Sequence, residues 1–232
     1  MELGLFSLRW IHFLAGITWI GMLYYFNFVQ TPFFAEAEPA TRSAAIQKLV
    51  PRALWWFRCG AMFTFLSGVL IYLYMLDGLG GAFFTTNMGV AITIGGVIGT
   101  LMFLNVWLVI WPAQQVVIAS ATQVAQGGQA IPDAAARARR AAITSRTNTV
   151  FSIPMLFYMG ASSHFPGLVG QTTGSAATSL LIVATLLIGA VEINALVGTQ
   201  GPTKKPLDSV SGALWAGFIL AAVLFVVVKA LA

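Results

Sequence analysis

The sequence predicts an all-α protein, a polytopic bundle of about six transmembrane helices, and three observations predict it. Hydrophobic residues make up 58% of the 232 and charged residues only 8%, against roughly 25% charged in a soluble domain. The mean hydropathy is +0.85. The apolar residues also fall in continuous runs near the about 20 residues that one bilayer crossing needs. A transmembrane β-barrel would instead show alternating segments of about ten residues.

Taken in order, the runs are Trp10–Gln30, Leu54–Leu76, Met88–Trp111, Thr149–Ser163, Thr178–Leu196 and Ser209–Ala230. The fourth is the shortest, and its pattern reaches back towards Thr144. Pro51, Pro112, Pro166 and Pro206 fall beside the expected ends, where a missing N–H costs least. Pro154 lies inside the fourth run and predicts a kink. The third run carries Gly89, Gly95, Gly96 and Gly99, which suit close helix approach; its GGVIG stretch is a packing feature and not a phosphate loop. Residues 1–232 read as one transmembrane domain. Its sizeable loop, about 113–143, holds a short helix, a Gly127-Gly128 break and a basic helical stretch.

Basic residues give the orientation. Arg42, Lys48 and Arg52 lie in the first loop, Arg137, Arg139, Arg140 and Arg146 in or beside the third, and Lys204 and Lys205 in the fifth. The second and fourth loops carry none. The positive-inside rule then puts the odd loops in the cytoplasm and both termini outside. Orientation and anionic lipid account for the net charge of +5, so no nucleic-acid partner is implied. A single cysteine, Cys59, excludes an internal disulfide, and no C-x-x-C-H is present for covalent haem c. Walker, GxSxG and HExxH motifs are absent, and two histidines with few acids argue against a protein-only di-metal site.

Polar residues within spans mark function, and here they form two levels. His12 and His164 lie near the outer face at similar depth, with Gly16 and Gly160 one helical turn deeper on the same helix faces. Two imidazoles with bare backbone beneath them could hold haem b between two helices. Histidines tolerated at an interface, above packing glycines, are the alternative. The inner level collects Asn27, Gln30, Arg52, Trp55, Trp56, Arg58, Asn105, Trp107, Gln114, Arg146, Asn148, Glu192 and Asn194. Arginines fork onto anions and stack on flat rings, so such a cavity suits a planar anionic ligand. Glu192 is the one acid well within a run, and Arg58 and Arg146 are its expected partners. An aromatic belt with a structural Glu–Arg pair is the alternative.

Four stretches carry a family resemblance: RWIHFLAGITWIGMLYYFNF (Arg9–Phe28), LVPRALWWFR (Leu49–Arg58), SRTNTVFSIPMLFYMGASSH (Ser145–His164) and VEINAL (Val191–Leu196). Together they resemble the membrane domain of bacterial membrane-bound urate hydroxylases, over about Arg9 to Asp208. The resemblance implies oxidation of urate to 5-hydroxyisourate in the bacterial inner membrane. It implies electrons passing to a cytochrome c, which such proteins usually carry as a C-terminal domain. This chain stops at Ala232, so the acceptor is expected to be a separate protein. His12 and His164 are then the expected haem b ligands. Arg58, Arg146, Asn148 and Asn194 are expected to bind the anionic purine with Trp55 or Trp56 stacked on it, and Glu192 to order the arginines or accept a proton. A weaker likeness of the first stretch to membrane protoporphyrinogen oxidases keeps a haem enzyme of that type as an alternative. A non-catalytic assembly or anchor subunit is another, and homo-oligomerisation is left open.

Overall fold

The computed structural model describes residues 2–170 and 172–232. It is all-α: 88% of the chain is helical, with no strand among the described residues. The helices are α1 (Glu2–Tyr24), α2 (Thr31–Glu36), α3 (Pro39–Lys48), α4 (Val50–Leu79), α5 (Asn87–Leu104), α6 (Trp111–Ala125), α7 (Ala134–His164), α8 (Gly174–Leu196) and α9 (Val210–Leu231). Short 3-10 turns precede α5 and α9. Local chemistry sets several starts. The hydroxyls of Thr86, Thr173 and Ser209 accept from the backbone N–H three residues on, capping α5, α8 and α9. Gly80, at φ +56°, takes a positive-φ conformation that glycine adopts at no steric cost, and α4 ends there.

Two of the expected span ends are not ends at all. A six-residue π-helical turn, Tyr25–Gln30, joins α1 to α2, and a second, Asn105–Ile110, joins α5 to α6. Each closes just before a proline, Pro32 or Pro112. The N–H of Thr31 reaches back to the Phe26 carbonyl, and that of Trp111 to the Val106 carbonyl. A proline in an α-helix deprives the carbonyl four residues back of its donor and crowds it. Shifting the ladder by one residue lets the helix run through. The result is two continuous rods, Glu2–Glu36 and Asn87–Ala125. Pro112 is therefore a point of widening rather than the terminus expected of it.

Five helical segments are long and apolar enough to cross a membrane: these two rods, Val50–Thr85, Gly174–Leu196 and Val210–Leu231. The fourth expected span is not among them. It lies in α7, which begins at Ala134, ten residues before the start expected for it. Helix α7 packs against α1, α5, α6, α8 and α9. Residues 146–152 are buried at seven successive positions, so every face of those two turns is covered by protein. Outward faces elsewhere are apolar, as at Phe13, Ile17, Phe63, Leu108, Leu186 and Trp215. That is the inverse of a water-soluble bundle.

Backbone-to-backbone approach between packed helices is closest at two glycines. A Cβ on Gly60 of α4 would stand 3.0 Å from the Trp19 backbone nitrogen of α1, and one on Gly217 of α9 would stand 2.9 Å from the Val150 carbonyl of α7. The glycine run expected to serve packing divides. Gly95 meets Met159, whereas Gly96 and Gly99 face open space. Gly217→Ala is therefore expected to destabilise the protein by about 1–3 kcal/mol, the cost of overpacking a fitted contact, and Gly96→Ala to be near neutral. Thermal unfolding of both variants in detergent checks the contrast.

Candidate functional site

The two π turns aim their asparagines at the central helix. Asn27 is buried; its amide donates to the Leu23 carbonyl and to Ser145 Oγ of α7, each at 2.9 Å. Asn105 is buried too; its amide donates to Asn148 Oδ1 of α7 at 2.9 Å and to Glu192 Oε2 of α8 at 3.0 Å. Asn148, with no exposed surface, donates in turn to the Met102 carbonyl at 3.0 Å. Ser145 and Asn148 lie three residues apart on one face of α7. The SRTN stretch is thus tied by side-chain hydrogen bonds to α5 and to the two π turns, and Asn105 extends the tie to α8.

Arg146 lies between those anchors. It is only 7% exposed, and its Nη1 has no hydrogen-bond partner. It lines a cavity of about 210 Å³ whose wall includes Phe26, Asn27, Gln30, Phe57, Gln114 and Ser145. Arg139 and Asp208 also line it, joined by an ion pair at 2.8 Å. Gln30 Oε1 is buried without a partner as well. The wall therefore offers a free cationic donor and a free neutral acceptor, with aromatic rings from the first π turn and α4. The volume is below the roughly 300–1,000 Å³ of drug-sized sites, which restricts an occupant to a small molecule.

Of the residues expected to bind the substrate, Arg146 lines the cavity with Asn27, Gln30 and Gln114 of the same level, and the others are placed elsewhere. Trp55 and Trp56 stand about half exposed, edge to face with each other. Arg58 lies over the rings of Trp107 and Trp111, at 5.4 and 4.0 Å from their centroids. Asn148 belongs to the buried network. Asn194 holds the loop before α9, accepting from Lys204 Nζ at 3.1 Å and donating to the Thr203 carbonyl. Burial, helped by neighbouring Arg140, holds that ammonium below the ordinary lysine range. The pairing of Glu192 with Arg58 or Arg146 is corrected. Its partner is the Asn105 amide, and the ion pairs among the described residues are Arg137–Asp133 and Arg139–Asp208. The amide reaches Glu192 first because the π turn carries Asn105 inward, while Arg58 stacks on tryptophan and Arg146 faces the cavity.

Asn27, Gln30 and Gln114 are the amides expected on the wall of an inner cavity, and they line it. Nothing in the sequence signals the Arg139–Asp208 pair, whose members are 69 residues apart. Arg140 is also placed: its Nη1 donates to the carbonyls of Ala195, Leu196 and Gly198, closing the end of α8.

At the other end, His12 is half-buried and its Nδ1 lies 3.2 Å from Ser67 Oγ of α4. Ser67 has one hydroxyl proton, which it donates to the Phe63 carbonyl at 2.6 Å. Ser67 must then accept from His12, so Nδ1 of a neutral His12 carries the proton and Nε2 a lone pair. His164 is exposed and its Nδ1 donates to the Gly160 carbonyl, 3.2 Å away, which leaves Nε2 free in the same way. Gly160 meets nothing within 4 Å, while Gly16 packs on Thr64 at 3.9 Å.

Residues 80–229, well over half of the chain, match the family model described as "Urate oxidase N-terminal". No curated protein and no solved structure matches. The matched stretch contains Arg146, Asn148, His164, Glu192 and Asn194; His12, Trp55, Trp56 and Arg58 precede it.

The corrected pairing makes Glu192→Gln mild, within about 1 kcal/mol, because a glutamine carbonyl can accept the same Asn105 N–H. Asn105→Ala should cost more, about 1–3 kcal/mol, since it strands buried acceptors on two helices. Chemical or thermal unfolding of the pair decides it: a far larger loss for Glu192→Gln would restore an ion pair.

Proposed function

The chain belongs to the urate oxidase N-terminal family, and from that premise we propose that it is a membrane-embedded oxidoreductase that oxidises urate to 5-hydroxyisourate. The observation that carries the reading is Arg146, a buried guanidinium with an unpartnered N–H on the wall of a small cavity. Urate is planar, anionic near neutral pH, and presents ring N–H groups beside carbonyls. Arg146 would take the anionic edge through its planar fork. Gln30 would accept a ring N–H, and Phe26 or Phe57 would lie against the ring. Asn27, Ser145, Asn105 and Asn148 act as positioning residues that set α7 and hence Arg146. Glu192 belongs to the same frame, as the acceptor that orders Asn105, which replaces the role of ordering arginines expected of it.

Balance requires water to add at the oxidised carbon while two protons and two electrons leave. A cytochrome c on the outer side of the bacterial inner membrane is the proposed acceptor. His12 and His164 would hold haem b. In support, each ring has its Nδ1 engaged, by Ser67 or by the Gly160 carbonyl, so that Nε2 is the nitrogen left to ligate, the usual arrangement of a metal-bound histidine. The group would supply a one-electron relay between substrate and acceptor. We place both termini outside and count α7 as a sixth crossing. Enclosure by its neighbours removes the need for α7 to be apolar, and six crossings agree with the distribution of Lys and Arg.

Two measurements test this. Arg146→Gln should weaken urate binding by roughly tenfold to a hundredfold, the equivalent of a charged hydrogen bond of about 1.5–3 kcal/mol. Unchanged affinity by calorimetry would remove the cavity from the reading. A reduced-minus-oxidised spectrum of the purified protein should show a b-type band on adding urate. Full haem content in His12→Ala or His164→Ala would remove that histidine as a ligand, and a colourless preparation would remove the haem.

A further inference from the structure

Arg58 has no place in the cavity, although Leu54 and Phe57 of the same helix line it. Its guanidinium carbon stands over Trp111, 4.0 Å from the ring centroid, and 5.4 Å from that of Trp107. Stacking engages the face of a guanidinium and leaves its N–H groups pointing outward in the plane. Among the described residues no acceptor and no carboxylate meets Arg58. Arg58 Nε and Trp107 Nε1 are each buried without a partner. Two buried donors thus lie beside one positive charge, and among the described residues nothing receives them. An unsatisfied arginine inside a span marks a missing partner.

Depth identifies the kind of partner. Arg58 and Asp77 bracket 18 residues of α4 without a charge. At 1.5 Å per residue these cover about 27 Å, close to the roughly 30 Å hydrocarbon core. If α4 crosses the bilayer as the preceding reading has it, Arg58 stands at the hydrocarbon boundary on the side of the basic first loop. The neighbouring surface is apolar and aromatic: Trp55 is 49%, Trp56 58% and Leu108 68% exposed. A soluble anion would have to leave water to reach this place, whereas a lipid phosphate already sits at that depth. We propose that Arg58, Trp107 and Trp111 form a binding site for the phosphate of an anionic phospholipid, between α4 and the α5–α6 rod. Basic pockets between spans on the cytoplasmic side bind such headgroups.

The full chain, reconstituted into nanodiscs, tests this through its unfolding temperature. Discs of phosphatidylcholine with phosphatidylglycerol should raise the wild-type midpoint by several degrees over phosphatidylcholine alone. Arg58→Gln should abolish most of that rise. Arg58→Lys, which keeps the charge but loses the flat stack, and Trp107→Phe, which keeps the ring but loses the N–H, should each retain part of it. An equal rise in Arg58→Gln and wild type would overturn the site. A rise reproduced by inorganic phosphate in phosphatidylcholine discs would overturn the lipid and assign a soluble anion instead. Recovery of the protein in the membrane fraction tests the underlying topology separately, since Arg58→Gln leaves the apolar spans intact.

Discussion

A helix bearing an arginine, two threonines, an asparagine and a serine within two turns can stand among apolar spans only if other helices cover it completely. That constraint organises this fold. Helix α7 has buried side chains at every position from 146 to 152, and five helices share the work of covering it. Each must present an outward apolar face and an inward face that meets polar groups. The outer helices accordingly expose Phe, Leu, Ile and Trp. Their inner contacts to α7 mix hydrogen bonds from asparagine and tyrosine with bare glycine backbone: Tyr24 OH lies 2.9 Å from Ser152 Oγ, and Gly217 lets α9 lie against Val150.

The two π turns are the means by which helices of lipid-facing character deliver amides to that core. Each is tied to a proline, and each places an asparagine, Asn27 or Asn105, against α7. Without the added residue in the turn, the ladder would have to break at the proline. The segments lining the inner cavity, Gln30–Thr31 on one rod and Ile110–Gln114 on the other, would then lose their support. π turns recur at functional sites because they re-aim a side chain without ending the helix. Here the pair flanks the cavity that holds Arg146.

Particular residues show how far the candidate site could be read in advance. Depth alone put Arg146, Asn148, Glu192, Asn27 and Gln30 on one level, because counting residues from an interface measures height along a helix axis. It did not give azimuth with equal success. Trp55 and Trp56, two and three residues before Arg58, turn outward, and Arg58 lies over Trp107 of the second π turn and Trp111 of α6. The pairing of Glu192 failed for a related reason. Opposite charges at equal height suggested an ion pair, but a π turn delivered the Asn105 amide to the carboxylate.

The sequence by itself determined the apolar, helical class, the position of each polar group along its helix and the family, since these follow from composition, run length and contiguous motifs. Hydropathy could not credit α7 as the lipid-facing helices are credited, because transfer scales weigh each residue against hydrocarbon and this helix touches mainly protein. Tertiary structure alone decided which polar groups meet. Arg139 with Asp208, Asn105 with Glu192 and Arg58 with Trp111 are brought together by helix rotation and by the altered ladder at two prolines. Neither leaves a periodic trace along the chain.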